Sequence, residues 1–229
     1  MNIVVTGASR GIGYQMVKQL LEDDSHRVFA VARNKDNLLK LHQYGKKGNY
    51  SFLDFDLIQA DYGELITAIT NMFDKVDVLI NNAGMLINKP LKELTDSDFD
   101  DMFGANVKSA FKLVRGLLPY FSGKAHIVNI SSMGGYQGSV KFPGLSLYSA
   151  SKGALAVLTE SMAEELKEQN IRVNALALGS VQTEMLEEAF PGYKAAATAE
   201  EMAEFIVDFA LKAHNYMNGK IIPVSLSTP

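Results

Sequence analysis

The chain has 229 residues, a net charge of -4 at pH 7 and no cysteine. Hydrophobic residues make up 47% of it and charged residues 21%, a balance typical of a globular protein. The acidic balance argues against a surface for nucleic acid or anionic membranes, and the lack of cysteine excludes disulfides and thiolate metal sites. This length suits one α/β domain, which we expect to cover residues 1–229.

The first residues and the histidines set two further expectations. Residues 1–6 lack the basic and apolar character of a targeting leader, and no apolar run approaches the length of a membrane span, so we expect a cytoplasmic protein. The four histidines, His26, His42, His126 and His214, have no ligand-like spacing, so we expect no metal.

Short apolar segments alternate with longer segments of helical periodicity along the whole chain. The predicted strands are 2–6, 27–32, 49–54, 76–80, 125–130, 171–178 and 220–224. The predicted helices are 11–22, 35–44, 62–73, 96–121, 148–168 and 199–213. Thr198, with Glu201 three residues later, forms a capping box for the last helix. The alternation predicts an α/β doubly wound Rossmann fold with a seven-stranded parallel sheet and helices on both faces.

A glycine-rich connection joins the first predicted strand to the first helix. Gly7, Gly11 and Gly13 allow a tight turn and a close approach of backbone to ligand, and the helix N-terminus offers N–H groups to an anion. An ordinary strand–helix turn is the alternative interpretation. The position after the first strand of an α/β pattern favours pyrophosphate binding.

The end of the second strand bears on the type of dinucleotide. Sites for NAD usually end that strand with an acid that binds the ribose 2′-hydroxyl, whereas this strand ends at Arg33. Arg10 lies in the glycine-rich connection, and two guanidinium groups could flank a 2′-phosphate. Both arginines could instead be solvated surface residues. The pattern favours NADP(H), with NAD(H) still possible.

Tyr148 and Lys152 stand four residues apart at the start of a predicted helix, so they share one face. A tyrosine with a pKa near 10 is a poor acid or base at neutral pH. A neighbouring ammonium and a positively charged nicotinamide would lower that pKa. The spacing alone also arises by chance at the edge of a helix.

Four motifs in a fixed order resemble the classical short-chain dehydrogenase/reductase family. They are the glycine-rich residues 6–13, Asn81-Asn82-Ala83-Gly84 after the fourth strand, Ser131-Ser132 after the fifth, and Tyr148 with Lys152. The resemblance extends from residue 2 to about residue 224. It implies an oxidoreductase that moves a hydride between NADP(H) and a carbonyl or alcohol.

The resemblance also implies a role for each catalytic position. Tyr148 would donate a proton to the substrate oxygen, and Ser132 would hydrogen-bond that oxygen, with Ser131 as the lesser candidate. Lys152 would hold the nicotinamide ribose and lower the tyrosine pKa. Asn106, in the helix after the fourth strand, would support a water-mediated proton path to the lysine.

A set of coenzyme contacts follows from the same resemblance. Asp56 would accept from the adenine amine, unless it caps a helix, while the Val181 amide and the Thr183 hydroxyl would bind the nicotinamide carboxamide. The implied coenzyme-binding residues are Gly7, Ser9, Arg10, Gly11, Ile12, Gly13, Arg33, Asp56, Leu57, Asn82, Ala83, Gly84, Tyr148, Lys152, Gly179, Val181 and Thr183.

The chain departs from the family pattern in three places. More residues than usual separate Ser132 from Tyr148, and the extra ones, within 136–144, predict a larger loop over the substrate site. Leu178 stands where a proline usually precedes Gly179, so that turn loses a fixed φ. The segment 218–225 lacks the usual Asp-Gly-Gly, which puts subunit contacts near the tail in doubt.

Residues 184–197 form the predicted substrate loop. Apolar side chains of this segment and of the loop before Tyr148 could wall an apolar pocket, or could simply pack against their own loops. They are Met185, Leu186, Phe190, Tyr193, Tyr136, Phe142 and Leu145.

The leading hypothesis is a carbonyl reductase that acts on a small molecule. The alternative is a non-catalytic dinucleotide-binding sensor or scaffold, although such a protein would have no physical reason to keep Asn106, Ser132, Tyr148 and Lys152 together. Epimerase or dehydratase chemistry on a nucleotide sugar would need a larger substrate domain. The helices 96–121 and 148–168 carry apolar residues on more than one face, and with the family resemblance they predict a homodimer or homotetramer.

Overall fold

A parallel sheet forms the centre of the molecule, of which this computed structural model describes residues 1–226. Seven strands lie in the order β3-β2-β1-β4-β5-β6-β9, and two short strands, β7 and β8, pair separately. The strands are β1 Asn2–Thr6, β2 Arg27–Ala32, β3 Tyr50–Asp54, β4 Val76–Asn81, β5 Phe121–Ser132, β6 Arg172–Leu178, β7 Val181–Gln182, β8 Ala197–Thr198 and β9 Ile221–Val224. All neighbouring strands run parallel, which confirms the predicted Rossmann sheet.

Helices connect the strands and cover both faces of the sheet. They are α1 Gly11–Glu22, α2 Lys35–Lys40, α3 Tyr62–Met72, α4 Asp96–Phe103, α5 Ser109–Leu117, α6 Ser146–Glu165, α7 Glu184–Ala189 and α8 Ala199–Lys212. The capping box predicted for α8 is confirmed, because the Thr198 hydroxyl accepts from the Glu201 amide and the Glu201 carboxylate accepts from the Thr198 amide.

The continuous apolar character of the strands follows from burial on two sides. In β1, Ile3 and Val5 pack into the core beneath α1 and α8, whereas Val4 packs into the core beneath α3 and α5. All three are fully buried. Each such side chain contributes roughly 1.5–3 kcal/mol through removal of apolar surface from water.

The strand order places a crevice at one edge of the sheet. The chain runs outward from β1 to β3, then returns and continues from β4 on the other side of β1. The helices that follow β1 and β4 therefore depart in opposite directions, and the carboxyl ends of these two strands border an open crevice. Ligands of doubly wound sheets bind at this point.

The single helix predicted over 96–121 is wrong in detail. Helix α4 passes into a π-helical segment, Gly104–Lys108, before α5 begins, and Phe121 already belongs to β5. The wider turn lets the Asn106 side chain bind the backbone of the segment after β4. The predicted loop 184–197 also differs, since it contains α7 and ends in β8.

A buried histidine joins β5 to its neighbours. His126 is fully buried; its Nδ1 lies 2.8 Å from the Ala210 carbonyl oxygen in α8, and its Nε2 lies 3.0 Å from Asn174 Nδ2 in β6. Nδ1 therefore carries the proton and Nε2 accepts. Burial lowers the pKa of His126 to about 4.

This histidine should make the fold sensitive to acid. His126 takes up a proton near pH 6.5 in the unfolded chain but only near pH 4 in the folded protein. The contribution of neutral His126 to the free energy of unfolding is therefore present above pH 6.5 and is lost as the pH falls towards 4. We expect the free energy of unfolding to fall by about 3 kcal/mol between pH 6.5 and pH 4 on account of this residue. Urea unfolding of the protein and of His126→Gln at pH 7 and pH 4.5 measures it. The exposed His42→Gln is the control, and equal pH slopes for all three proteins would contradict the assignment.

Candidate active site

Two glycines of the glycine-rich connection stand where a side chain would have no room. A Cβ on Gly13 would lie 2.1 Å from the Gly7 carbonyl oxygen, and Gly7 itself has a φ of +67°. Arg10 is the N-cap residue of α1, and its side chain makes no capping hydrogen bond. The first turn of α1 therefore presents backbone N–H groups to an anion.

Thr6 and Asn82 fasten this connection to the segment after β4. The Thr6 hydroxyl oxygen accepts from the amides of Asn82 and Ala83 at 3.1 and 3.0 Å. The Asn82 side chain donates to the carbonyl oxygens of Thr6 and Gly7. Asn82 thus shapes the walls of the crevice through its amide group. Thr6 is not among the predicted site residues, because a threonine at the end of a buried strand carries no distinctive signal.

Lys152 is buried beside the Tyr148 ring. Its Nζ donates to the Ile130 carbonyl oxygen at 2.8 Å and lies 5.9 Å from the centroid of the Tyr148 ring, and only 4% of the residue is exposed. Burial lowers the pKa of Lys152 to about 8. The ammonium is therefore largely charged at neutral pH.

The two serines at the end of β5 have different partners. The Ser131 hydroxyl donates to the Lys152 carbonyl oxygen at 2.8 Å and is buried. The Ser132 hydroxyl accepts from the Gly134 amide at 3.1 Å and lines the same cavity as Tyr148, close enough to lower the pKa of the phenol. The geometry favours Ser132 over Ser131 as the serine that can reach a substrate oxygen.

The pKa of Tyr148 differs from the sequence prediction. Burial raises the pKa of Tyr148 above its ordinary value, and the nearby Ser132 hydroxyl offsets only part of that effect. Desolvation of the phenol is the largest influence, and it outweighs the lowering of the pKa that a neighbouring ammonium provides.

Asn106 lies one layer behind the crevice and makes three hydrogen bonds. Its Oδ1 accepts from the Met85 amide at 2.7 Å, and its Nδ2 donates to the Met85 carbonyl oxygen and to Ser151 Oγ, each at 2.9 Å. A Cβ on Gly84 would lie 3.0 Å from Asn106 Oδ1 and 3.2 Å from Lys152 Nζ. A glycine at this position therefore leaves room between the asparagine and the lysine. Ser151, which no motif had indicated, holds the asparagine in place.

One cavity of about 1010 Å³ brings the predicted site residues together. All of the predicted catalytic and coenzyme-binding residues line this cavity except the buried Asn106.

Asp56 accepts from the Ile58 amide and does not cap α3, whose N-cap is Asp61. Thr183 caps α7 by accepting from the Leu186 amide, so its own hydroxyl proton remains available to a ligand. The Gly179 turn is held without a proline, because its amide donates to the Val224 carbonyl oxygen.

The two arginines expected to flank a 2′-phosphate differ in environment. Arg33 is exposed at the end of β2, and no acidic side chain among residues 1–226 forms an ion pair with it. Arg10 instead makes a two-pronged ion pair with Glu188 of α7, at 2.5 and 3.2 Å. This pair raises the pKa of Arg10 and lowers that of Glu188. The two arginines therefore do not act as the predicted pair, because Arg10 is bound to Glu188 in the segment after β7.

Residues 1–194 match the family of short chain dehydrogenases. The chain belongs to the short-chain dehydrogenase/reductase family. It is accordingly an oxidoreductase of that family, and the resemblance seen in the sequence motifs is confirmed.

Relatives of this short-chain dehydrogenase match over nearly its whole length. It is 31% identical to a 3-oxoacyl-acyl-carrier-protein reductase of Thermotoga maritima, over 96% of this chain and 94% of the relative. It is 32% identical to a gluconate 5-dehydrogenase of Gluconobacter oxydans, over 96% and 91%. The structure of a Brucella melitensis 3-ketoacyl-(acyl-carrier-protein) reductase complexed with NADH matches with a TM-score of 0.85 and 26% identity, over 97% and 96%.

The apolar residues predicted for the substrate side of this dehydrogenase mostly line the cavity. Those that do are Phe142, Leu145, Met185, Leu186, Phe190 and Tyr193. Tyr136 does not line the cavity. Its carbonyl oxygen accepts from Lys141 within the 136–144 loop. Within residues 1–226, no group of three or more acidic or histidine side chains is arranged to hold a metal ion, and no helix is long and apolar enough to cross a membrane.

Proposed function

We propose that this protein is an NADP(H)-dependent carbonyl reductase that also works in reverse as an alcohol dehydrogenase, acting on CH–OH groups. The observation that carries the proposal is the arrangement of Tyr148, Ser132 and Lys152 in one cavity with the glycine-rich connection. When bound, the nicotinamide supplies the hydride to the carbonyl carbon or accepts it from the alcohol. The residues of the chain do the rest.

The site fits a dinucleotide. The Gly7–Gly13 contact closes the backbone tightly enough for the N-terminus of α1 to meet a pyrophosphate, and the cavity runs from Arg33 to Tyr148. Asp56 and Leu57 would lie at the adenine, and Lys152 at the nicotinamide ribose. The Val181 amide and the Thr183 hydroxyl would bind the carboxamide.

Each catalytic residue then has a defined task. Ser132 hydrogen-bonds the substrate oxygen, and Tyr148 transfers its phenolic proton to that oxygen, so that the carbonyl becomes an alcohol. The ammonium of Lys152 stabilises the phenolate that remains. Asn106, held by Met85 and Ser151, faces the lysine across Gly84 and supports the path by which the phenol regains a proton.

Removal of the phenolic hydroxyl tests the proposal most directly. Tyr148→Phe should lower kcat about 10²- to 10⁴-fold while the dissociation constant of NADPH changes by no more than about 3-fold, because the ring stays in place. Steady-state kinetics and fluorescence titration of NADPH measure both values. Tyr136→Phe, outside the cavity, is the matched control. Retained turnover would remove the proposed acid, and tight coenzyme binding without turnover of any carbonyl by the unaltered protein would favour the sensor alternative.

The preference for NADP(H) rests on Arg33. Within residues 1–226 no acid pairs with this guanidinium at the end of β2, so a 2′-phosphate would gain a charge-assisted hydrogen bond there. NAD(H) is the alternative coenzyme, since the Brucella melitensis relative was solved with NADH. The ion pair with Glu188 makes the Arg10 guanidinium less available to a 2′-phosphate.

Two substitutions should move this preference in opposite directions. Arg33→Asp should lower the ratio of kcat/KM for NADPH over NADH about 10- to 100-fold, because a carboxylate repels the phosphate. Glu188→Gln should raise the same ratio a few-fold by releasing Arg10, whereas Glu187→Gln, which can keep its bond to Gly192, should leave it unchanged. A ratio unaffected by both Arg33→Asp and Glu188→Gln would defeat the charge argument.

We also propose that residues 1–229 form one coenzyme-binding domain with its substrate segment at 184–197. We propose that the protein works in the cytoplasm on a small molecule.

We further propose that the protein forms a homodimer or homotetramer. Phe111 of α5 and Val157 of α6 support the assembly, since they are 42% and 63% exposed on the two helices expected at the interface. Light scattering should give two or four times the chain mass of 25.1 kDa. A single-chain mass at micromolar concentration would count against it.

A further inference from the structure

The cavity has a charged lining at one end and an apolar lining at the other. Its charged lining residues are Arg10, Arg33, Asp56, Lys152 and Glu184. The first three follow β1, β2 and β3. The strand order puts β2 three strands away from β5, or about 14 Å. These charges therefore belong to the coenzyme end.

The other two charged residues are also engaged away from a substrate. The Lys152 ammonium is buried and donates to Ile130. Glu184 lies at the glycine-rich connection, where its Oε2 would be 3.4 Å from a Cβ on Gly11, and its charge acts on Arg10.

Apart from Lys152 and Glu184, the segments that follow β4, β5 and β7 supply a mostly apolar lining. We call this part of the cavity the apolar half; its members include Met85, Phe142, Leu145, Met185, Phe190 and Tyr193. Among the described residues, the apolar half contributes no cationic side chain to the lining. Two nearby lysines have other partners, since Lys89 pairs with Asp98 and Lys141 donates to the Tyr136 carbonyl oxygen.

Two aromatic side chains of the apolar half are only partly covered. Phe142 is 52% exposed and Tyr193 is 50% exposed, and they come from different loops. A bound apolar group would remove this surface from water. A carboxylate in the same place would lose its hydration without gaining a cation, at a considerable cost.

We infer that the substrate is an uncharged carbonyl compound with an apolar body, such as an alkyl chain or an aromatic ring, rather than an oxo acid. This inference rests on the proposed function for the position of the reacting carbonyl. The polar part of the substrate is then the oxygen that meets Ser132 and Tyr148, and the apolar half holds the remainder. The methionines Met85 and Met185 can adjust to bodies of different shape.

Matched substrates test the inference on the full chain with its coenzyme. For 2-alkanones from butanone to octanone, kcat/KM should rise about 4-fold per methylene until the apolar half is filled. The 2-oxo acids of equal chain length should be at least 100-fold poorer. Comparable rates for acids and ketones, or no dependence on chain length, would overturn the inference.

Variants locate the effect. Phe142→Ala and Phe190→Ala should flatten the dependence on chain length, and Leu186→Arg should raise the acid-to-ketone ratio at least 10-fold by adding a cation. Tyr216→Ala, on a side chain that is 86% exposed and outside the cavity, is the control. An acid-to-ketone ratio unchanged by Leu186→Arg would contradict the location.

Binding separates this inference from the proposed function. If neither series is turned over, the proposed reductase activity fails, but calorimetric titration with 2-octanone and with 2-oxooctanoate still decides the ligand class. Binding of the ketone alone supports the inference. Binding of the acid, or of neither compound, overturns it.

Discussion

Two hydrogen bonds fasten the first half of α6 to the carboxyl end of β5, and the geometry of the site depends on them. The Lys152 ammonium donates to the Ile130 carbonyl oxygen, and the Ser131 hydroxyl donates to the Lys152 carbonyl oxygen. A buried ammonium is tolerated where its protons find acceptors, and the cost that remains appears as its lowered pKa. The same fastening sets Tyr148, one turn earlier, beside Ser132.

Much of this arrangement could be predicted from local patterns. Strands buried on both faces must be apolar throughout, so residues 2–6 and 27–32 were identifiable with their observed bounds. Parallel strands bring their carboxyl ends to one edge, so motifs that follow successive strands had to converge. This is why the glycines, Ser132 and Tyr148 meet at one cavity although they are far apart in the chain.

The remaining features arise from tertiary contacts that no local pattern encodes. The π-helical turn around Asn106 is stabilised by the Met85 backbone, which comes from a distant segment. Arg10 finds Glu188 across a separation of 178 residues, so its pairing could not be read from the glycine-rich connection. The pKa of Tyr148 depends on how deeply the folded chain desolvates the phenol, which the spacing to Lys152 does not reveal.

The short ladder of β7 and β8 separates the proposed substrate segment from the rest of the molecule. Val181 pairs with Ala197 and Gln182 with Thr198, so the residues between them leave and re-enter the fold at one stem. Above this stem the chain can lengthen, shorten or change composition while the central sheet and α8 keep their positions. Under the proposed function, part of the substrate specificity can therefore be exchanged as one segment while the residues around Tyr148 stay in place.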